Sequence, residues 1–228
     1  MHRRLLSIST AVAVALLSAV AVAPAATAAP GVPAAGRNSD AAIARAGLLR
    51  LSDFPSGWKQ TRHKDSKPTG LASCKGTEQV TAKNKKYRAQ SPDFNQGATM
   101  YAENSVYVFP KESQATAFLE PYQAAAAGTC LQQGTQRALK KIKGATVQVQ
   151  PLDLSSALQS GTVDDAVGYE VLATVPGSTQ PAQLYLVAIA TRIGRSVAGF
   201  TTENQGEPLA ETTSLINASL TRLTQALG

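Results

Sequence analysis

Val167-Gly168-Tyr169-Glu170-Val171-Leu172-Ala173-Thr174-Val175, the turn Pro176-Gly177-Ser178, the run Leu184 to Thr191, the tight turn Ile193-Gly194-Arg195 and the run Ser196 to Thr201 decide the fold. In the first run Val167, Tyr169, Val171, Ala173 and Val175 alternate with Glu170, Leu172 and Thr174, the period-2 pattern of a strand. Each turn is too short to hold a crossover helix, so the successive strands must be antiparallel. Downstream, Pro208 opens a segment with Leu209, Ile216, Leu220, Leu223 and Leu227 on one stripe, as expected of a terminal amphipathic helix lying on the sheet.

Upstream, a strand is expected over Thr146 to Gln150, preceded by a short helix from Leu131 to Lys143. Residues 111–127 are rich in helix formers, and Pro121 should kink or divide that helix, with Gly128 and Cys130 closing the segment. Ala98 to Phe109 alternates as a strand with one face buried. Thr61 to Asn95 has only weak periodicity and reads as loops with at most a short helix. Before it, Asp40 caps a helix carrying Ala41, Ile43, Ala44, Leu48 and Leu51, which stops before Phe54-Pro55-Ser56-Gly57. The expected class is α+β: a single antiparallel β-sheet with N-terminal, middle and C-terminal amphipathic helices packed on it.

The chain's start carries an address. Arg3-Arg4, an Ala-rich apolar run from Leu5 to Ala23 and the small residues Ala26-Thr27-Ala28 form a secretory signal-peptide pattern, with cleavage near Ala28. No Cys stands near Ala28 to carry a lipid anchor, so the mature protein is expected to be secreted, with no membrane anchor. Residues 29–39 are expected to form a disordered leader, and 40–228 one domain. Losing Arg3 and Arg4 takes the formal net charge from +7 to +5. Cys74 and Cys130 are the only cysteines, and an even count in an oxidising compartment points to one disulfide. In the chain-entropy treatment a loop of that length is worth about 4 kcal/mol.

The chemistry-bearing residues are few. Hydrolysis by a triad needs an imidazole, and the mature chain offers only His63. His63 lies in Arg62-His63-Lys64, whose charges disfavour a protonated ring and suggest a surface residue. Asp164-Asp165 cannot flank a glycosidic bond, since neighbours on a strand point to opposite faces, and they read as a turn. With Cys74 and Cys130 paired and a single His, no metal site, cofactor or catalytic residue is expected. Two binding surfaces remain. Trp58, Tyr101, Tyr107 and Tyr185 are candidates for an aromatic ligand cleft. Lys83, Lys85, Lys86 and Arg88 around Tyr87 are candidates for contact with a polyanion such as a wall polymer, without specific nucleic-acid recognition.

Three ordered stretches also carry a family resemblance. They are Leu51-Ser52-Asp53-Phe54-Pro55-Ser56-Gly57-Trp58; Val106-Tyr107-Val108-Phe109 with the following helix through Ala115 and Phe118 to Cys130; and Arg192-Ile193-Gly194-Arg195-Ser196-Val197. In them the chain resembles the PknH-type extracellular sensor domains, a family of exported actinobacterial proteins with a PsbP-like α+β sandwich. The resemblance spans residues 40–228, although this chain has one Cys pair where the family pattern has two. It implies a sheet backed by helices, a cleft for an unidentified ligand and no enzymatic activity. The expected function is a secreted, non-enzymatic, sensor-like binding domain for a small or amphipathic ligand or a cell-wall component. The alternatives are an extracellular protein-interaction or inhibitor module, or polyanion binding through the segment Lys83 to Arg88.

Overall fold

A computed structural model describes residues 38–63, 87–155, 157–158, 163–177 and 180–228. The segments expected to be signal peptide and, for the most part, leader, together with Cys74, Lys83, Lys85 and Lys86, therefore lie outside the described residues. The elements run α1 (Asp40–Ala46), β1 (Lys59–Thr61), β2 (Tyr87–Gln90), β3 (Asp93–Gln96), β4 (Met100–Val108), α2 (Glu112–Gln123), α3 (Ala126–Ala138), β5 (Thr146–Pro151), β6 (Asp165–Val175), β7 (Ala182–Ile193), β8 (Ser196–Gln205) and α4 (Thr212–Leu227). Among the described residues the eight strands form one antiparallel sheet in the order β1-β3-β4-β8-β7-β6-β5, with β2 also paired to β4. The α+β class expected from the alternating strands is the one observed.

The C-terminal meander follows from its turns. Ile193 pairs with Ser196, leaving a two-residue loop whose first member, Gly194, takes φ 53°, where a side chain would be strained. Asp164 and Asp165 brace the neighbouring strand end rather than forming a free turn. Arg192 Nε donates to Asp165 Oδ2 at 2.7 Å and Nη1 to Asp164 Oδ2 at 3.1 Å, while the Gly194 N–H also donates to Asp164 Oδ2 at 2.6 Å.

Several boundaries differ from the expectation. The cap of α1 is Ser39, whose Oγ accepts the Ala42 N–H, and the helix ends at Ala46 instead of reaching Leu51. Gly47 and Leu48 still bond back to the helix, and Leu49, three residues past its end, donates its N–H to Asn104 Oδ1 instead. Pro121 sits inside α2 without dividing it; the break falls at Ala124, whose ψ of 141° is extended. The carbonyl of Tyr122 that this break orphans is taken by the Tyr169 hydroxyl at 2.7 Å. Gly128 and Cys130 therefore lie within α3 rather than closing a segment. Within Thr61 to Asn95, expected to be loops, the chain forms β2 and most of β3, strands too short to show a period in sequence. Helix α4 starts at Thr212, not Pro208.

Helices cover both faces of the sheet. On one face α1 and α4 bury Ile43, Ala44, Leu215, Leu220 and Leu223 against Ala102, Val106, Val108, Val187, Ile189 and Phe200. On the other, α2 and α3 bury Phe118, Leu119, Tyr122 and Leu131 against Tyr107, Val147, Val171, Leu186, Ala188 and Val197. Strand β4 is thus covered on both sides, against the expectation of one buried face.

A polar joint lies within the first core. Asn104, 1% exposed, accepts the Leu49 N–H at 2.8 Å on Oδ1 and donates through Nδ2 to the Gly47 carbonyl at 2.8 Å and to Ser219 Oγ at 3.3 Å. Ser219 Oγ donates in turn to Gly47 O. Arg222 adds a fork: Nη1 and Nη2 donate to the two Asp53 carboxylate oxygens at 2.9 and 2.8 Å, and Nη2 also reaches Leu48 O at 2.9 Å. A buried amide left without its partner costs about 1–3 kcal/mol. Asn104→Ala should therefore destabilise the protein by about 2–4 kcal/mol, since Leu49 N–H loses its acceptor and a cavity opens. A chemical-denaturation midpoint unchanged in that variant would show that the joint does not hold α1 and α4 to the sheet.

Candidate functional site

On a strand, alternate residues share a face, so the α2/α3 face of β4 carries Tyr101, Glu103, Ser105 and Tyr107. Its end toward Tyr107 is apolar ground beneath α2. Its other end is polar. Registry extends the polar end sideways: Tyr101 pairs with Glu203 and Glu103 with Thr201 on β8, while Asn95 of β3 pairs with Tyr101. Asp93 shares the face of Asn95, two residues along β3. His63 follows Thr61, the β1 residue paired with Asp93.

These placements bring His63, Asp93 and Glu103 together. The His63 Nδ1–H lies 2.6 Å from Asp93 Oδ1 and 3.1 Å from Glu103 Oε2. Both carboxylates are oriented from behind. Tyr101 OH donates to Asp93 Oδ1 at 3.1 Å, and Gln90 Nε2 donates to Glu103 Oε2 at 3.1 Å. Arg88 Nη2 fixes the far end of Gln90 by donating to its Oε1 at 2.7 Å. Beside them Glu203 is 5% exposed, and its Oε1 is buried without a hydrogen-bond partner.

Burial and charge set the proton states. The hydrogen bonds to Asp93, then to Glu103, raise the His63 pKa from 6.5 to about 10, against an opposing effect of burial. Burial, then the negative charge of Glu103, raises Glu203 from 4.5 to about 8. Burial, then the Glu103 charge, pushes the Tyr101 phenol upward, so it stays a donor.

His63 is not the surface residue expected from Arg62-His63-Lys64. Its side chain is 15% exposed, and two acids from other strands overrule the flanking charges. An imidazolium held in this way cannot act as general base for a hydroxyl nucleophile at neutral pH.

The aromatic candidates do not line one cleft. Trp58 is buried on the α1/α4 side, with its ring centroid 4.6 Å from that of Phe54. Tyr107 is buried under α2 against Phe118, with its pKa pushed up to about 12 by burial. Tyr185 alternates with Leu184 and Leu186, which face the α2/α3 core, and so projects toward the Trp58 side. Of the four, Tyr101 alone joins the polar cluster. Arg88 is likewise no free arm for a polyanion: its guanidinium sits 5.6 Å from the Tyr107 ring centroid and bonds Gln90.

Asp93, Glu103 and Glu203 were not singled out by sequence reasoning. The available signal was the pair of motifs Tyr101-x-Glu103 and Thr201-x-Glu203, acids at period 2 in strands whose alternate positions are apolar. Without the register between β4 and β8, nothing shows that they meet.

The native state holds a proton on Glu203 that the unfolded chain releases near pH 4.5, and one on His63 that the unfolded chain releases near pH 6.5. It therefore binds more protons than the unfolded state, and stability must fall as pH rises, to about pH 8 through Glu203 and about pH 10 through His63. With chelator present, the melting temperature should decline by several degrees from mildly acidic to alkaline pH. Glu203→Gln should flatten the part of that decline below about pH 8. A melting temperature independent of pH in this range would contradict the buried proton sites.

No protein-family model and no curated protein matches the chain. Among solved structures, it is similar to the extracellular domain of PknH from Mycobacterium tuberculosis, with a TM-score of 0.47 and 12% sequence identity, covering 84% of this chain and 97% of that one. Among the described residues no helix is long and apolar enough to cross a membrane.

Proposed function

We propose that this chain is an exported, non-enzymatic binding domain of sensor-like type that takes its ligand at the polar end of the α2/α3 face. The observation that carries this reading is the convergence of His63, Asp93 and Glu103, with the buried Glu203 on the same sheet face, in surroundings where ionisable groups are costly to bury. Structures seldom retain such groups for stability alone, and they concentrate at functional sites. The protonated state of His63 supports a binding role over hydrolysis. Polyanion binding through Lys83 to Arg88 is weakened because Arg88 is engaged within the sheet.

Export and the pairing of Cys74 with Cys130 belong to the same proposal. The signal-peptide pattern supports the first, and the absence of a free cysteine among the described residues supports the second. Native and denatured mass spectra of protein purified after export test the whole reading. The expected result is a chain beginning near Ala29, two hydrogens light, with a species retained only in the native spectrum and lost on Glu103→Gln. A native mass equal to the bare chain under every loading condition would remove the binding role. Cys130→Ser should lower stability by about 4 kcal/mol under oxidising conditions, and an unchanged melting temperature would remove the disulfide.

A further inference from the structure

We propose that His63 Nδ1, Asp93 Oδ1 and Glu103 Oε2 are ligands of one divalent transition-metal ion, zinc by the chemistry of the set, with the fourth position left to an exogenous donor. The inference rests on the reading of this sheet face as the binding face and names the ligand class.

The three donor atoms lie within 4.8 Å of one another. They come from three separate segments, the residue beyond β1, β3 and β4, so the constellation is made by the fold and not by one local acidic run. Four-coordinate zinc binds imidazole nitrogen and carboxylate oxygen at about 2.0–2.2 Å, which separates neighbouring ligand atoms by about 3.4 Å. The Nδ1 to Glu103 distance of 3.1 Å is close to that, and the Nδ1 to Asp93 distance of 2.6 Å must open. The ion takes the place of the proton on Nδ1, which leaves to solvent as His63 becomes the neutral ligand.

An independent observation points to a missing cation. Glu203 is more than nine-tenths buried, faces the same side as Glu103 with Tyr101 directly opposite it, and leaves Oε1 without a hydrogen-bond partner. A single imidazolium brings one positive charge to the carboxylates of Asp93 and Glu103, whereas a dication matches both outright. Around the donors the outer contacts of a metal site already exist: Tyr101 on Asp93, and Gln90, itself held by Arg88, on Glu103. The imidazole argues against calcium, which takes six to eight oxygens, and a set of one nitrogen with carboxylates suits zinc or manganese better than thiol-seeking ions.

The test uses the oxidised, tag-free full chain, stripped with chelator and dialysed. Titration with zinc should show one equivalent bound and a melting temperature raised by several degrees, with calcium giving neither. His63→Gln and Glu103→Gln should each weaken binding by at least about tenfold, and Gln90→Ala, which removes only an outer contact, by about tenfold. Should the ligand variants fail to fold, the imidazole nitrogen resonances of His63 in the unaltered protein decide: zinc must shift Nδ1 and leave Nε2 carrying the proton. Absence of that shift, or zinc binding undiminished by both ligand variants, overturns the proposal. If an organic species is retained in native spectra and lost on Glu103→Gln while zinc does not bind, the metal is overturned and the binding face stands. If neither zinc nor any other species binds, both fall.

Discussion

One buried amide, that of Asn104, ties together segments far apart in the chain. Its side chain serves the turn after α1 on one side and Ser219 of α4 on the other, and its backbone exchanges hydrogen bonds with Ser91, N–H to Oγ and C=O from N–H, both at 2.9 Å. Strand β4 therefore cannot slide relative to α1, α4 or the bend between β2 and β3 without breaking several buried bonds at once. Register along a strand is all or nothing, because a slip of one residue would turn every side chain to the opposite face. By holding Asn104 toward the helices, the joint holds its neighbour Glu103 toward the polar cluster.

The two faces of β4 show how one strand can serve packing and chemistry together. On the α1/α4 side Ala102, Val106 and Val108 surround Asn104 with apolar contacts. On the α2/α3 side the strand passes from Tyr107, stacked among Phe109 and Phe118, to Glu103 and Tyr101. The aromatic end excludes water and supplies rigidity. At the other end the acids sit partly desolvated beside that rigid ground, where Coulomb interactions are stronger than at an open surface. The result is a set of donors held in fixed positions by a β-sheet, with Gln90 and Arg88 as a brace.

What the sequence revealed divides along physical lines. The meander of β6, β7 and β8 was legible because alternation over nine or more residues and tight Gly-containing turns are local properties. Strands β1, β2 and β3 were not, since three or four residues cannot display a period, and they owe their existence to pairing with β4 or with one another. Helix ends moved for similar reasons: Leu49 exchanges helical pairing for the Asn104 oxygen, and the Tyr122 carbonyl finds the Tyr169 hydroxyl instead of a continued turn. The candidate site was the least legible feature. His63 looked solvated because its chain neighbours are cationic, and its true partners lie 30 and 40 positions away, brought near only by sheet registry.

The position of β8 governs when this architecture can exist at all. It runs through the middle of the sheet, with β4 on one side and β7 on the other, yet it is encoded by residues 196–205. Ser219 and Leu223, which seat α4, come later still. A chain emerging from its N-terminus first can assemble neither the β4 interior nor the Asn104 joint until almost its whole length is available, because both await long-range closures. Everything before β8 forms two unjoined half-sheets, one with a bare edge at β4 and the other with a bare edge at β7. Folding is therefore a terminal event for this molecule, and a chain whose last segment is withheld stays threadable.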